Sequence, residues 1–175
     1  MTSPCLRLAT EDDLVAINDI YNYYVLHSTC TYQLEAEPIE DRAAWFRERL
    51  RQCLPVTVAE HGTQVVGWGS LSRFHPRTGY ASTVEASVYI NHQHHRRGLG
   101  RLLLSDLVER ARSAGFHSVI GGASAEQTAS IALQESLGFK RVGQLVQVGY
   151  KFNTWLDVIY LQRMLGPASP EQPAD

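Results

Sequence analysis

Cysteine, long apolar runs and excess positive charge are all scarce in this chain, and each scarcity excludes a class of protein. The 175 residues include three cysteines, Cys5, Cys30 and Cys53, which lie far apart and form no C-x-x-C pair. That pattern argues against a disulfide framework and against a zinc site. No stretch approaches the ~18 consecutive apolar residues of a membrane-spanning helix, and the polar N-terminus lacks a signal-peptide pattern. We therefore expect a reduced, cytoplasmic protein without a membrane segment.

The charge balance argues against nucleic acid as a partner. Lys and Arg number 16 against 18 Asp and Glu, a formal net charge of −2, whereas nucleic-acid binders usually carry a basic excess. Hydrophobic residues make up 44% and charged residues 19% of the chain, which is typical of a globular protein. His92, His94 and His95 have neither the H-E-x-x-H spacing nor that of structural zinc sites, so we expect no metal.

Hydrophobic periodicity predicts one mixed α/β domain over residues 1–165, followed by a disordered, proline-rich tail over residues 166–175. Thr10 with Asp13 is a capping-box-like start to a first helix that ends near Val25. Further helices are predicted over residues 40–52, 100–111 and 127–137, and strands over residues 6–9, 56–60, 64–71, 83–90, 118–121, 141–148 and 156–162.

The strand over residues 83–90 alternates, so Thr83, Glu85, Ser87 and Tyr89 share one face. The segment that follows it is basic and glycine-rich. From Ala86 to Ser105 there is no acidic residue, and Gly98 and Gly100 stand among arginines directly before a strong amphipathic helix. Glycines allow close backbone approach, and helix N-terminal amides attract anions, so the segment is suited to phosphate. The alternative is a solvated basic turn that caps the helix and binds no ligand. A dinucleotide fingerprint is excluded, because Leu103 stands where the third glycine is needed, and no P-loop is present.

In this context the motif resembles that of the GNAT acyltransferase superfamily, and within it the phosphinothricin and methionine sulfoximine N-acetyltransferase group. The likeness covers nearly the whole chain. It rests on Ile20-Tyr21-Asn22, Thr83-Val84-Glu85, Ala129-Ser130-Ile131-Ala132-Leu133, Leu137-Gly138-Phe139, Val148-Gly149-Tyr150-Lys151-Phe152 and Trp155-Leu156-Asp157.

The resemblance implies a mixed, mostly antiparallel sheet flanked by helices, with a V-shaped cofactor opening between two parallel strands. It implies acetyl-CoA as the acetyl donor and a small-molecule amine, an amino acid or analogue, as the acceptor; the family is also commonly dimeric, which implies a homodimer. The residues implied to bind the donor are Val88, Tyr89, Ile90, His95, Arg96, Arg97, Gly98, Leu99, Gly100, Arg101, Gln127 and Ser130.

Glu85 is the candidate general base. Acetyl transfer needs a neutral amine, and a free α-amino group with a pKa of about 8 is largely protonated at neutral pH. A carboxylate can accept that proton, usually through a water molecule. The alternative is a structural carboxylate that accepts hydrogen bonds from neighbouring groups such as Thr83.

The chain departs from the family pattern at several positions. His95 replaces Arg or Gln at the start of the loop, and Gln127 replaces an Asn that contacts the pantetheine. Gln134 replaces the Tyr or His that would protonate the leaving thiolate, so no general acid is expected there. His75 replaces one acceptor-binding Arg, which puts phosphinothricin itself in doubt as a substrate.

The residues implied to bind the acceptor are Phe74, His75, Arg77, Thr83, Val84 and Tyr32; ordinary packing is the alternative for each. Arg77 and His75 favour an anionic amino-acid acceptor, the phosphinothricin or methionine sulfone type. Two other functions stay open: a GNAT enzyme with a peptide, lysine or polyamine acceptor, and a non-catalytic acyl-CoA-binding module.

Overall fold

The computed structural model describes residues 4–166 and shows a single seven-stranded sheet in the order β1-β2-β3-β4-β5-β7-β6. The strands are β1 (Cys5–Leu8), β2 (Val56–His61), β3 (Gln64–Arg73), β4 (Thr83–Ile90), β5 (Ser118–Ser124), β6 (Lys140–Lys151) and β7 (Thr154–Met164). The α-helices are α1 (Leu14–His27), α2 (Ile39–Arg51), α3 (Leu99–Ser113) and α4 (Thr128–Ser136). Apart from Gly166, the predicted tail lies outside the described residues.

The sheet is antiparallel except where β4 and β5 run side by side. These two strands pair in parallel only at Thr83 with Ser118, Val84 with Val119 and Glu85 with Ile120. From Ala86 onward β4 keeps its antiparallel partner β3 on one edge, and β5 no longer pairs with the other. The predicted mixed sheet with a V-shaped opening is therefore confirmed, and Glu85 lies at its vertex.

The predicted alternation of β4 is also confirmed, because each face packs against different helices. Val84 is fully buried in a cluster with Leu104 and Leu107 of α3. On the opposite face Tyr89 stacks on Trp68 of β3, with ring centroids 4.9 Å apart, beneath α1 and α2. The sheet thus separates two cores, and Glu85 shares the face of Tyr89.

Buried Arg42 ties α2 and the segment before it to that second core. Its guanidinium lies 4.4 Å from the ring centroid of Tyr21 and 4.7 Å from that of Trp45, and it pairs with Glu37. A buried charge needs such a partner. The contacts hold the chain between α1 and α2 over the face that carries Glu85.

The last hairpin is longer than the sequence predicts. β6 and β7 are joined by Phe152 and Asn153, whose φ angles of 51° and 58° fit a two-residue hairpin turn. Phenylalanine rarely adopts a positive φ, so the turn carries no sequence signal. A bulge separates Leu145 from Gly149, where Asp157 accepts a 2.8 Å hydrogen bond from the Gln147 amide.

The capping box at Thr10 and Asp13 is confirmed, although one 3-10 turn (Glu11–Asp13) precedes α1. Asp13 is 5% exposed. Its carboxylate accepts 2.7 Å bonds from both Arg7 Nη atoms and from the Thr10 amide. Glu60 of β2 binds the same guanidinium. These bonds join β1, β2 and the start of α1. Within residues 4–166 no helix is long and apolar enough to span a bilayer.

Replacing Asp13 should weaken the fold in a pH-dependent way. The Arg7 guanidinium lowers the pKa of Asp13 below its usual value. The carboxylate therefore stabilises the fold above its unfolded pKa, and this contribution disappears as the pH falls through the folded pKa. Asp13→Asn should lose about 1–3 kcal/mol of unfolding free energy at neutral pH, and less in acid, measured by urea denaturation. Asp12→Asn, on an exposed neighbour, is the control; equal losses in both variants would contradict this role of Asp13.

Candidate functional site

A cavity of about 650 Å³ occupies the opening between β4 and β5. Its wall combines the free end of β4, the basic loop, the first turn of α3 and the inner side of α4. All the predicted donor-binding residues except Arg97 line it: Val88, Tyr89, Ile90, His95, Arg96, Gly98, Leu99, Gly100, Arg101, Gln127 and Ser130. The strand, the loop and the two helices thus share one long cleft.

The basic loop has the geometry of an anion site. Arg96 and Gly98 take left-handed φ angles of 59° and 78°, which turn the chain into the N-terminus of α3. The Leu102 amide makes the first helical bond, 3.1 Å to the Gly98 carbonyl oxygen. Amides before it in the first turn have no helical acceptor, and the helix dipole adds positive potential. Arg101 Nη2 lies 2.7 Å from Ser136 Oγ on α4, so its charge is held beside the cavity.

Tyr24 of α1 is a cavity residue that sequence reasoning missed. Its hydroxyl lies 2.6 Å from His95 Nε2 and also binds the Ile90 carbonyl oxygen. Burial raises the pKa of this hydroxyl. His95 therefore connects the basic loop to α1. Because Tyr24 falls on the apolar spacing of α1, the sequence pattern predicts only a packing role for this residue. Cys30, Ser87 and Gly122 were missed as cavity residues as well.

Glu85 lies at the vertex where β4 and β5 separate, next to Ala86, the first β4 residue that lines the cavity. A Cβ added to Gly122, a cavity residue of β5, would lie 3.7 Å from Glu85 Oε1 and 3.7 Å from Tyr160. Within the described part of the chain the Glu85 side chain has no hydrogen bond or ion pair of its own. Burial, the cause that dominates here, raises the pKa of Glu85 above the usual carboxyl value. A half-buried carboxylate without a cationic partner is poised to accept a proton.

Two glutamines of the α4 region also face the cavity. Gln127, just before α4, donates through Nε2 to Thr29 Oγ1 at 3.1 Å and so ties α4 to the loop after α1. Gln134 is buried against Gly121 of β5. A carboxamide has no titratable proton, so Gln134 cannot be a general acid.

Tyr32 lies on the same side of the sheet as Glu85, against the last hairpin. A Cβ on Gly149 would come within 2.6 Å of the Tyr32 ring, so only glycine leaves room for it. Tyr32 OH donates to the Asp157 carbonyl oxygen at 3.4 Å. Next to it, the buried Lys151 ammonium donates a 2.8 Å bond to the Thr31 carbonyl oxygen. The hairpin therefore positions the loop after α1.

The other predicted acceptor residues are more dispersed. Phe74 and His75 pack against Tyr80, with centroids 5.9 Å and 4.7 Å from its ring, on the loop between β3 and β4. Arg77 is exposed on that loop, with its amide 3.2 Å from His75 Nδ1.

Thr83 and Val84 are the acceptor candidates on β4 itself. Thr83 shares the face of Glu85, and its hydroxyl lies 3.1 Å from Ser118 Oγ. Val84 is fully buried on the other face, so only its backbone is available to an acceptor. Tyr32 and Thr83 therefore lie on the same side of the sheet as Glu85. The other candidates, Phe74, His75 and Arg77, lie on the β3–β4 loop, which leads into the start of β4.

The histidines of the basic loop are held by packing. His92 stacks on Tyr23 with ring centroids 3.9 Å apart, and His94 Nδ1 lies 3.4 Å from Arg97. Among residues 4–166 no group of three His, Cys, Asp or Glu side chains is arranged to hold a metal ion.

Comparison with known proteins shows which family this chain resembles. The chain is 39% identical over 160 residues to an L-methionine sulfoximine/L-methionine sulfone acetyltransferase of Salmonella typhimurium, covering 91% of this chain and 94% of that protein. It is 34% identical to a phosphinothricin N-acetyltransferase of Streptomyces viridochromogenes, over 96% of this chain and 91% of that one.

A solved structure agrees with the fold. A GNAT superfamily phosphinothricin acetyltransferase from Sinorhizobium meliloti, in complex with acetyl-CoA, superposes with a TM-score of 0.94 at 32% identity, covering 99% of this chain and 95% of that one. Residues 17–139, which include most of α1 and all of β4, the basic loop and α4, match the model of the acetyltransferase (GNAT) family. The chain belongs to the GNAT acetyltransferase family.

Proposed function

We propose that this protein transfers an acetyl group from acetyl-CoA to the amine of a small amino-acid analogue, of the methionine sulfoximine, methionine sulfone or phosphinothricin type, with Glu85 as general base. The observation that carries the proposal is the position of Glu85. This partly desolvated carboxylate lies at the vertex between β4 and β5, beside the cavity residues Ala86 and Gly122, and the cleft that begins there leads to a phosphate-type loop at a helix N-terminus. The names of the relatives support the choice of acceptor.

The residues of the cleft fit acetyl-CoA. Free amides of the first turn of α3, with Arg96, Arg97 and Arg101, would hold its phosphates. The free edge of β4 from Val88 to Ile90 would pair with its pantetheine, and Gln127 and Ser130 face the same stretch from α4. When bound, the thioester supplies the activated acetyl group. A backbone amide near Tyr89 would stabilise negative charge on the thioester oxygen.

Glu85 removes a proton from the acceptor amine, directly or through a water molecule, so that the nitrogen lone pair can attack. Its raised pKa makes it a stronger base than an exposed carboxylate. Tyr32 and Thr83 on the same side of the sheet would orient the acceptor. Arg77, with His75 and Phe74, supplies the anion-binding group that an amino-acid acceptor needs; the backbone of Val84 completes this region.

We also propose a homodimer formed through β6. This strand is one of the two edges of the sheet, and its apolar side chains are exposed: Val142 55%, Leu145 44%, Val146 69%, Val148 54% and Tyr150 49%. A long apolar edge strand of this kind invites pairing with another chain. A second copy of the chain, related by a twofold axis, presents the same β6 edge. The two β6 strands would then pair with each other, so that neither edge stays exposed. The three scattered cysteines support a cytoplasmic protein, and the net charge of −2 supports a protein without nucleic-acid partners.

The function is tested by thiol release with a panel of amines. Acetyl-CoA should be consumed with methionine sulfone, methionine sulfoximine or phosphinothricin, and far less with polyamines or peptides. Arg77→Ala should raise KM for carboxylate-bearing acceptors and leave KM for acetyl-CoA unchanged. Release with polyamines or peptides alone would support a different acceptor, and tight CoA binding without release above the no-acceptor blank would support a non-catalytic module.

Glu85→Gln should lower kcat by ~100–10,000-fold, the usual contribution of a general base. In the native enzyme, activity should fall as the pH drops through the raised pKa of Glu85, because only the ionised carboxylate accepts a proton; the variant should lose this acidic limb. A folded-state pKa that is raised means that ionised Glu85 destabilises the fold above that pKa. The variant should therefore unfold at a higher temperature at neutral pH.

Glu40→Gln, on the exposed side of α2, is the matched control and should change neither property. Full kcat across the pH range in Glu85→Gln would show that Glu85 is not the base.

Val146→Lys should convert the dimer to a monomer, because it places a charge in the middle of the proposed interface. Light scattering on a sizing column measures the mass. Val15→Lys is the matched control, since Val15 is 63% exposed on α1. A monomeric native protein, or a dimer unaffected by Val146→Lys, would refute the β6 interface.

A further inference from the structure

One tyrosine hydroxyl on α1 joins the end of β4 to the start of the basic loop. Tyr24 OH donates a hydrogen bond to the carbonyl oxygen of Ile90, the last residue of β4, and it lies 2.6 Å from Nε2 of His95. The ring planes of Tyr24 and His95 differ by 17°, with centroids 6.2 Å apart, so the rings meet at their polar edges and not face to face. All three residues line the cavity between β4 and β5.

These two contacts determine which nitrogen of His95 carries the proton. A phenol has one hydrogen, and a carbonyl oxygen can only accept, so the Tyr24 hydrogen lies on the side of Ile90. Burial raises the pKa of Tyr24, and the hydroxyl therefore keeps this hydrogen at neutral pH. His95 must then donate to the Tyr24 oxygen through Nε2–H. In the neutral ring this leaves Nδ1 as an acceptor, which makes no hydrogen bond within residues 4–166.

The free Nδ1 selects the kind of ligand group that can bind it. A phosphate presents only acceptor oxygens, so it cannot satisfy a nitrogen that is itself an acceptor. The pantetheine arm of acetyl-CoA carries a hydroxyl and amide N–H groups, which can. In the proposed function this arm follows β4 as far as Ile90, and the phosphates lie at the start of α3. Because Tyr24 ties His95 to Ile90, His95 lies where the arm and the phosphates would meet.

We propose that Tyr24 is a positioning residue for acetyl-CoA: it holds His95 in the Nε2–H form, so that Nδ1 accepts a hydrogen bond from the pantetheine arm. The inference rests on the proposed binding of acetyl-CoA in this cleft and adds a residue of α1 to that site. Neither Tyr24 nor His95 takes part in the proton transfer, which remains with Glu85.

The tautomer is tested without turnover, by NMR of the histidine side-chain nitrogens. In protein labelled with ¹⁵N at its histidines, at about pH 8, where an ordinary imidazole is neutral, the ring signals distinguish Nε2–H, Nδ1–H and the doubly protonated ring. We expect Nε2–H at His95 in the free protein and with coenzyme A bound, and a mixture of the two neutral forms in Tyr24→Phe. The spectrum of His95→Gln identifies the signals. An Nδ1–H or doubly protonated His95 in the native complex would overturn the proposal.

Binding gives a second measurement. Tyr24→Phe keeps the ring and removes the hydroxyl, so the calorimetric Kd for coenzyme A should rise roughly two- to twelve-fold, the size of one net hydrogen bond. Adenosine 3′,5′-bisphosphate has the nucleotide but no pantetheine arm, and it should bind equally well to both proteins. Equal weakening of the two ligands would show that the hydroxyl acts on the nucleotide end, against the proposal.

Tyr23→Phe is the matched control, because it makes the same change one residue earlier on α1. Tyr23 stacks on His92 and is not among the residues that line the cavity. Its hydroxyl makes no hydrogen bond in the part of the chain that the structure describes. The Kd for coenzyme A, the kcat and the tautomer of His95 should all stay as in the native protein.

A double-mutant cycle separates positioning from a simple loss of packing. If Tyr24 acts through His95, Tyr24→Phe should weaken coenzyme A binding much less in a His95→Phe background than in the native protein. Losses that add in full would show that the two residues act independently. In steady-state kinetics, Tyr24→Phe should raise KM for acetyl-CoA and leave kcat and KM for the acceptor close to their native values.

The failure of this inference differs from the failure of the proposed function. Absence of coenzyme A binding by the native protein would overturn the proposed function itself. Equally tight binding of coenzyme A by the native protein and by Tyr24→Phe would overturn only the role of Tyr24.

Discussion

The separation of β4 from β5 after Glu85 is the feature on which the site depends. Three residue pairs hold the two strands together, and beyond them the edge of β4 has no sheet partner on that side. Backbone amides and carbonyls that are left free in this way need hydrogen-bond partners. A ligand with its own amide groups can act as the missing strand, and the same divergence leaves Glu85 at the point where such a ligand would end.

Small residues make the vertex accessible. Gly121 and Gly122 reduce β5 to bare backbone at this point, so Gln134 approaches from the α4 side and Glu85 from the α1 side. Larger side chains at either position would fill the space in which acyl transfer is proposed. At the other end of β4, the φ angles of Arg96 and Gly98 turn the basic loop into the first turn of α3. In the proposed function, β4 therefore has the acyl transfer at one end and the phosphate-binding loop at the other.

How much of this could be predicted depends on how local the signal is. The alternation of β4, the amphipathic α3 and the glycine loop are local patterns, and each was found in the structure. The contact of Tyr24 with His95 joins residues 71 positions apart, and nothing in the spacing of α1 separates a cleft residue from a core one. The Phe152–Asn153 turn lacks the glycine that marks such turns. Contact between the β3–β4 loop and an acceptor depends on how the loop folds over the sheet, and the order of residues in the loop does not determine that.

The burial of Glu85 shows why the vertex had to be left partly unsatisfied. A carboxylate paired with a cation would be stable but a weaker base, because the partner holds its pKa down. Here desolvation raises the pKa of Glu85, and no cation lowers it again. The ionised carboxylate is therefore unfavourable for the fold, but it is a stronger base. On the other side of β5, the buried oxygen of Gln134 has no hydrogen-bond partner among the described residues. A buried acceptor without a hydrogen bond is destabilising, and a ligand that donates one to this oxygen would recover that free energy on binding.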